Sequence, residues 1–138
     1  QAYLDSADLS DTNLDAAFLD LAQLSFAVLS GVDLTRTRLV NVDLSYAHLD
    51  GVDLTGVDLH GSDLTGSDLS NAYLTGANLT DVKLASAYLF EADLSGANLL
   101  RTDLTKANLT GAKLAGAKLG RANLTDVVGA DLTGAILE

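Results

Sequence analysis

The side chains able to do chemistry are few and scattered: two histidines, His48 and His60, nineteen acidic residues, and no cysteine at all. A hydrolytic relay needs a nucleophile, a base and an orienting group within hydrogen-bond reach. A protein metal site needs several ligands converging on one point. The two histidines stand twelve residues apart with no third ligand arranged around them. Calcium would ask for six or more oxygens, commonly from a flexible loop or a nonapeptide glycine-aspartate repeat, and neither pattern occurs. The expectation is therefore no catalytic residue, no cofactor and no metal site.

Charge narrows the partners. The formal charge is −11, from nineteen acids against eight bases. Such a balance argues against direct nucleic acid binding and against anionic lipid, where cationic side chains must neutralise phosphate. It favours a basic protein partner. The imbalance sits in the first half, and from Asp43 to Asp68 there are six aspartates and no base. No apolar run approaches spanning length, so no membrane insertion is expected. Cysteine usage gives no redox compartment, and a soluble, cytoplasmic location is the default. The chain starts without methionine, as a trimmed or excised piece would.

The elements that must position these side chains are set by one repeat. Leucine occupies position 4 and every fifth position to 124, twenty-five pentads without a miss. A helix would repeat its apolar stripe at 3.6 residues and a flat strand at two, so neither fits alone. Two residues before each leucine stands alanine fifteen times, valine five, threonine three and serine twice. No charged residue falls on either of these positions within the run. Inward residues spaced by two, then by three, describe a short strand followed by a corner. Nine of the twelve glycines lie two residues after a leucine, where a type II turn needs positive φ. Where Phe26, Arg36, Tyr46 or Arg101 takes that slot, a type I corner is expected, because positive φ strains a bulky residue.

Pentads such as Val52-Asp53-Leu54-Thr55-Gly56 and Ala92-Asp93-Leu94-Ser95-Gly96 carry the pattern A-(D/N)-L-(S/T)-G. Over residues 1–124 this resembles the pentapeptide-repeat family. The resemblance implies an all-β, right-handed quadrilateral β-helix with four pentads per coil and about seven coils. At a strand spacing of about 4.8 Å the rod would be roughly 32 Å long. Residues 1–138 then form a single domain: unbroken pentads to 124, a register break over 125–129, and final repeats over 130–138. A bulge or loop is expected at the break. Leu44, Leu64, Leu84 and Leu104 are assigned to the core. Ser62, in a slot that accepts alanine, is expected to tolerate alanine with little loss.

Residues twenty apart then stack in adjacent coils. His48 falls between Val28 and Asp68, and His60 between Val40 and Thr80. Asp43 stacks on Asp63, and Asp33 on Asp53, where like charges repel. Asp or Asn before each leucine is expected to bond to nearby backbone, as these side chains do at turns. Outward apolar residues mark a candidate protein contact: Phe26, Val28 and Tyr46 at one early corner, with Tyr88 and Phe90 further along.

Closed coils filled by leucine leave no cavity for a substrate, so a non-enzymatic structural or protein-interaction solenoid is expected. The partner is expected to be another protein of unspecified identity, and the uncovered ends allow end-to-end self-association. Many members of the family, notably cyanobacterial ones, have no assigned activity. The alternative the resemblance offers is a DNA-mimicking, gyrase-binding protein of the quinolone-resistance type. Against it, the aspartates of residues 43–68 fall on all four faces. The C-terminal dimerisation helix of that branch has no counterpart in the sequence.

Overall fold

The computed structural model describes residues 2–138. Its backbone closes a turn of coil every twenty residues, and parallel bridges join each coil to the next at that spacing. Tyr3 pairs with Gln23, Gln23 with Asp43, Asp43 with Asp63 and Asp63 with Lys83. Four pentads make one coil and so four faces, the first coil taking residues 2–6, 7–11, 12–16 and 17–21 in turn.

One pentad shows why the sequence repeats as it does. The Asp53 amide donates back to Val32 O at 3.1 Å, and the Leu54 amide donates forward to Tyr73 O at 2.8 Å. The Thr55 amide donates to the Asp53 side chain at 3.0 Å. The Gly56 amide reaches Thr75 O at 2.9 Å, and the Val57 amide closes the corner on Leu54 O at 3.1 Å. All five N–H groups are satisfied, which a closely stacked backbone requires. The aspartate before the leucine is thus an amide cap. The same two-residue bond recurs from Ser10 to Asp8, Thr35 to Asp33, Ser70 to Asp68 and Thr110 to Asn108.

The inward positions form one continuous core. Leu44, Leu64, Leu84 and Leu104 are each fully buried, stacked with the small residues two positions earlier. Four buried polar residues enter this interior, Thr37, Ser62, Ser67 and Thr102, and each donates its hydroxyl to a leucine carbonyl. Ser62 does more than the alanine-tolerant slot suggests. Its hydroxyl donates to Leu39 O at 2.9 Å and accepts from the Val42 amide at 3.1 Å, bridging the two ends of a corner. Ser62→Ala would leave the buried Val42 amide without its acceptor and is therefore expected to cost about 1–3 kcal/mol. A lower denaturation midpoint with unchanged cooperativity would show it, and an unchanged midpoint would contradict it.

The corners depart from expectation. Phe26, Tyr46 and Arg101 have φ of 59°, 58° and 58°, so these are left-handed, type II corners rather than type I. The reason lies in the ladder. Their amides donate to Ser45 O, Thr65 O and Gly120 O in the following coil, at 3.0, 2.9 and 3.0 Å. Flipping that peptide to make a type I corner would turn the donor away from its acceptor. Within residues 2–126, Asp11 and Arg36 are the corner residues without positive φ, and among the described residues neither amide has a backbone acceptor. Arg36 thus follows the type I expectation. At Asp11 the first coil stands away from the second, leaving a cleft of about 360 Å³ lined by residues 10–14 and 31–33.

Strain held by the ladder can be released by substitution. Ser86 has φ of 59°, is exposed, and its side chain makes no hydrogen bond among the described residues. Ser86→Gly is expected to stabilise the rod by about 1 kcal/mol, because glycine carries no left-handed penalty. A raised denaturation midpoint is the expected result, and a lowered one would contradict the strain argument.

The register break is a deletion and not the expected bulge or loop. Val128 pairs with Asn108 at the normal spacing, but Ile136 pairs with Lys118 only eighteen residues away. Two corner residues are missing after Gly129, which stands in the leucine slot with φ of 70° and turns the chain at once. The shortened coil still docks, through Gly116 N–H to Gly134 O and Leu119 N–H to Ile136 O.

Candidate interaction surface

The chemistry-bearing side chains stay apart once folded. His60 Nδ1 lies 3.1 Å from Thr80 O and 3.9 Å from the Asp81 carboxylate, on the fourth face. His48 lies on the second face between Val28 and Asp68 in the ladder. Among the described residues its ring makes no hydrogen bond, so His48 and Asp68 do not form a relay. Among the described residues no group of three or more potential ligands converges on a metal position. Among the described residues no helix is long and apolar enough to cross a membrane.

Five of the eight bases each answer an aspartate of the preceding coil. Asp63 pairs with Lys83 at 2.9 Å, Asp93 with Lys113 at 3.2 Å, and Asp20 with Arg38 at 2.5 Å. The Arg101 guanidinium forks onto Asp81 at 2.7 and 2.5 Å. That bond holds the Asp81 carboxyl below the ordinary carboxylate range and raises Arg101. Asp33 is held low by its own turn, through the Thr35 hydroxyl and then the Thr35 amide. Arg38 also lies over the Phe18 ring, 5.2 Å from its centroid. One guanidinium thus bridges an aromatic face and a carboxylate on the rod itself.

The outward apolar residues are brought together at the corner between the first and second faces. Phe26 and Tyr46 stack with centroids 5.2 Å apart and planes 10° from parallel, and both stay about half exposed. The Tyr46 ring then leans over Gly66, so closely that a Cβ there would sit 2.5 Å from it. Beyond that ring opens a groove of about 250 Å³, walled by Tyr46 and Tyr88 and floored by Ala47, His48, Asp68 and Ser70. Val28 adjoins His48 in the ladder. Phe90 lies outside the groove lining, one column along the same face and 41% exposed. Sequence reasoning assigned the aromatics to the contact but not Asp68, Ser70 or Gly66. The signal available was the glycine twenty residues after Tyr46, which gives its ring room to lie down.

This groove interrupts the amide-capping rule. Val28, His48 and Tyr88 stand in the slot that Asp or Asn fills in fourteen of the twenty-five pentads, as do eight other residues, Phe18, Tyr73 and Lys83 among them. Among the described residues, the amides of Ser30, Asp50 and Phe90 have no protein acceptor. The face therefore presents unpaired donors beside exposed rings.

The repeat geometry has its counterpart in known sequences: the pattern of pentapeptide repeats matches residues 2–41, 22–61, 53–89 and 87–126, in eight copies. The chain belongs to the pentapeptide-repeat family. Solved pentapeptide-repeat proteins share the right-handed quadrilateral β-helix. One from the cyanobacterium Cyanothece is 27% identical, with a TM-score of 0.74, covering 80% of this chain and 91% of that one. Another, from the thylakoid lumen of Arabidopsis thaliana, is 30% identical with a TM-score of 0.54, covering 72% and 66%. A plasmid-mediated fluoroquinolone resistance protein is 17% identical with a TM-score of 0.53, covering 99% and 88%, and this likeness extends to the fold alone. No curated protein matches the chain.

Proposed function

We propose that this pentapeptide-repeat rod is a non-enzymatic protein-interaction scaffold. Its contact surface is the corner formed by Phe26, Val28 and Tyr46, continued by Tyr88 and Phe90. The observation that carries this reading is the stacked pair Phe26 and Tyr46, with the second ring laid over Gly66 to wall a groove. These rings occupy outward positions, so the leucine core does not require them. Rigid aromatics on a projecting edge supply contact area at small entropic cost. Asp43, Asp50 and Asp68 around them favour a partner with a basic rim.

Site-specific photocrosslinking tests the placement. A photoreactive phenylalanine analogue at position 26 is expected to yield a discrete adduct in native extract. The same group at exposed Thr55, on the third face, is expected to yield none. Equal adducts from both positions, or adducts from position 55 alone, would place the contact elsewhere.

A further inference from the structure

The groove at the second face has an aromatic wall on either side and a carboxylate on its floor, but no cation. Asp68 is half-buried and accepts the Ser70 amide through one oxygen at 3.0 Å. Among the described residues it has no ion pair. The position in the following coil that supplies Lys83 to Asp63 and Lys113 to Asp93 supplies Tyr88 to Asp68, and the preceding coil brings His48 against it. Elsewhere the rod shows what such a constellation holds: on the fourth face Arg38 lies over Phe18 and pairs with Asp20. Rings and carboxylate recur in the groove, and the guanidinium is the missing part.

We infer that the groove floored by Asp68 between Tyr46 and Tyr88 takes the guanidinium of an arginine in a basic segment of a partner protein. This rests on the protein-contact reading and names the chemistry it recognises. A planar guanidinium can lie against a tyrosine face and fork onto a carboxylate, whereas an ammonium offers only a point charge. The surround adds steering, since no base stands between Asp43 and Asp68 in the sequence and the net charge is −11.

The test is a titration of the isotope-labelled rod, followed by amide NMR, with the peptide acetyl-Gly-Gly-Arg-Gly-Gly-amide. Matched peptides carry lysine or uncharged citrulline in place of arginine. Shifts confined to Tyr46, His48, Asp68, Ser70 and Tyr88 are expected, with citrulline about tenfold weaker and lysine between the two. Asp68→Asn keeps the amide cap, since Asn78 caps Thr80 in the same way. It should weaken the arginine peptide about tenfold, while Asp93→Asn on the third face leaves it unchanged. Equal binding of arginine and citrulline, equal binding of arginine and lysine, unaltered binding by Asp68→Asn, or shifts spread over all acidic faces would each overturn the assignment. The peptide ratios are read on the purified rod without a partner, so they stand or fall separately from the crosslinking result.

Discussion

Leu64→Asp is expected to abolish cooperative folding. Leu64 is fully buried in the fourth coil, its amide donates to Lys83 O at 2.8 Å, and coils lie above and below it. A carboxylate there has no solvent and no counter-ion. Burying it costs several kcal/mol even after partial relaxation, against a typical domain stability of 5–15 kcal/mol. Leu64→Ala, which only opens a void, is expected to lose about 2–5 kcal/mol and remain folded. Circular dichroism with thermal melting separates the two. A cooperative melt at the native midpoint for Leu64→Asp would contradict the inward assignment of the leucines.

Gly129→Ala is expected to release the last coil while leaving the rest of the rod folded. At φ of 70° an added Cβ would stand 2.8 Å from Thr110 Cα and 2.2 Å from its hydroxyl oxygen. The hydroxyl could rotate away, but the backbone cannot. To this clash is added the left-handed penalty of about 1–2 kcal/mol. The final coil is joined to its neighbour by only a short run of bonds, so the loss falls there, as repeat arrays allow. Hydrogen exchange should show faster exchange at Leu109 and Leu119, whose amides donate to Val128 O and Ile136 O. Leu54 and Leu74 should keep their protection. Uniform protection throughout would contradict the account of the deletion.

The period of five made the fold legible because each repeat position has one physical duty. The inward leucine, the small residue before it, the capping Asp or Asn and the tight corner can each be read from residue type. The corner conformations were less legible. Phe26, Tyr46 and Arg101 adopt positive φ because amides in one coil are committed to carbonyls in the next, and that constraint is tertiary. The deletion after Gly129 was visible as a break in spacing, but its direction depends on where the chain rejoins the ladder. For the candidate surface, stacking by twenty placed Phe26 beside Tyr46 and His48 beside Asp68. It could not show that Tyr46 would fold over Gly66 and meet Tyr88 across a groove, since ring direction depends on room made by a neighbouring coil.

The claim that the aromatic corner serves recognition and not merely stability is tested most directly by one paired measurement. Phe26→Ser combined with Tyr46→Ser removes the stacked rings, which as a purely structural pair are worth about 0.5–1.5 kcal/mol. Melting temperature and capture of the crosslinked partner are then read on the same preparation. The account predicts lost capture with a near-native melt. Retained capture with a lowered melt would contradict it and leave the rings as a structural ladder only.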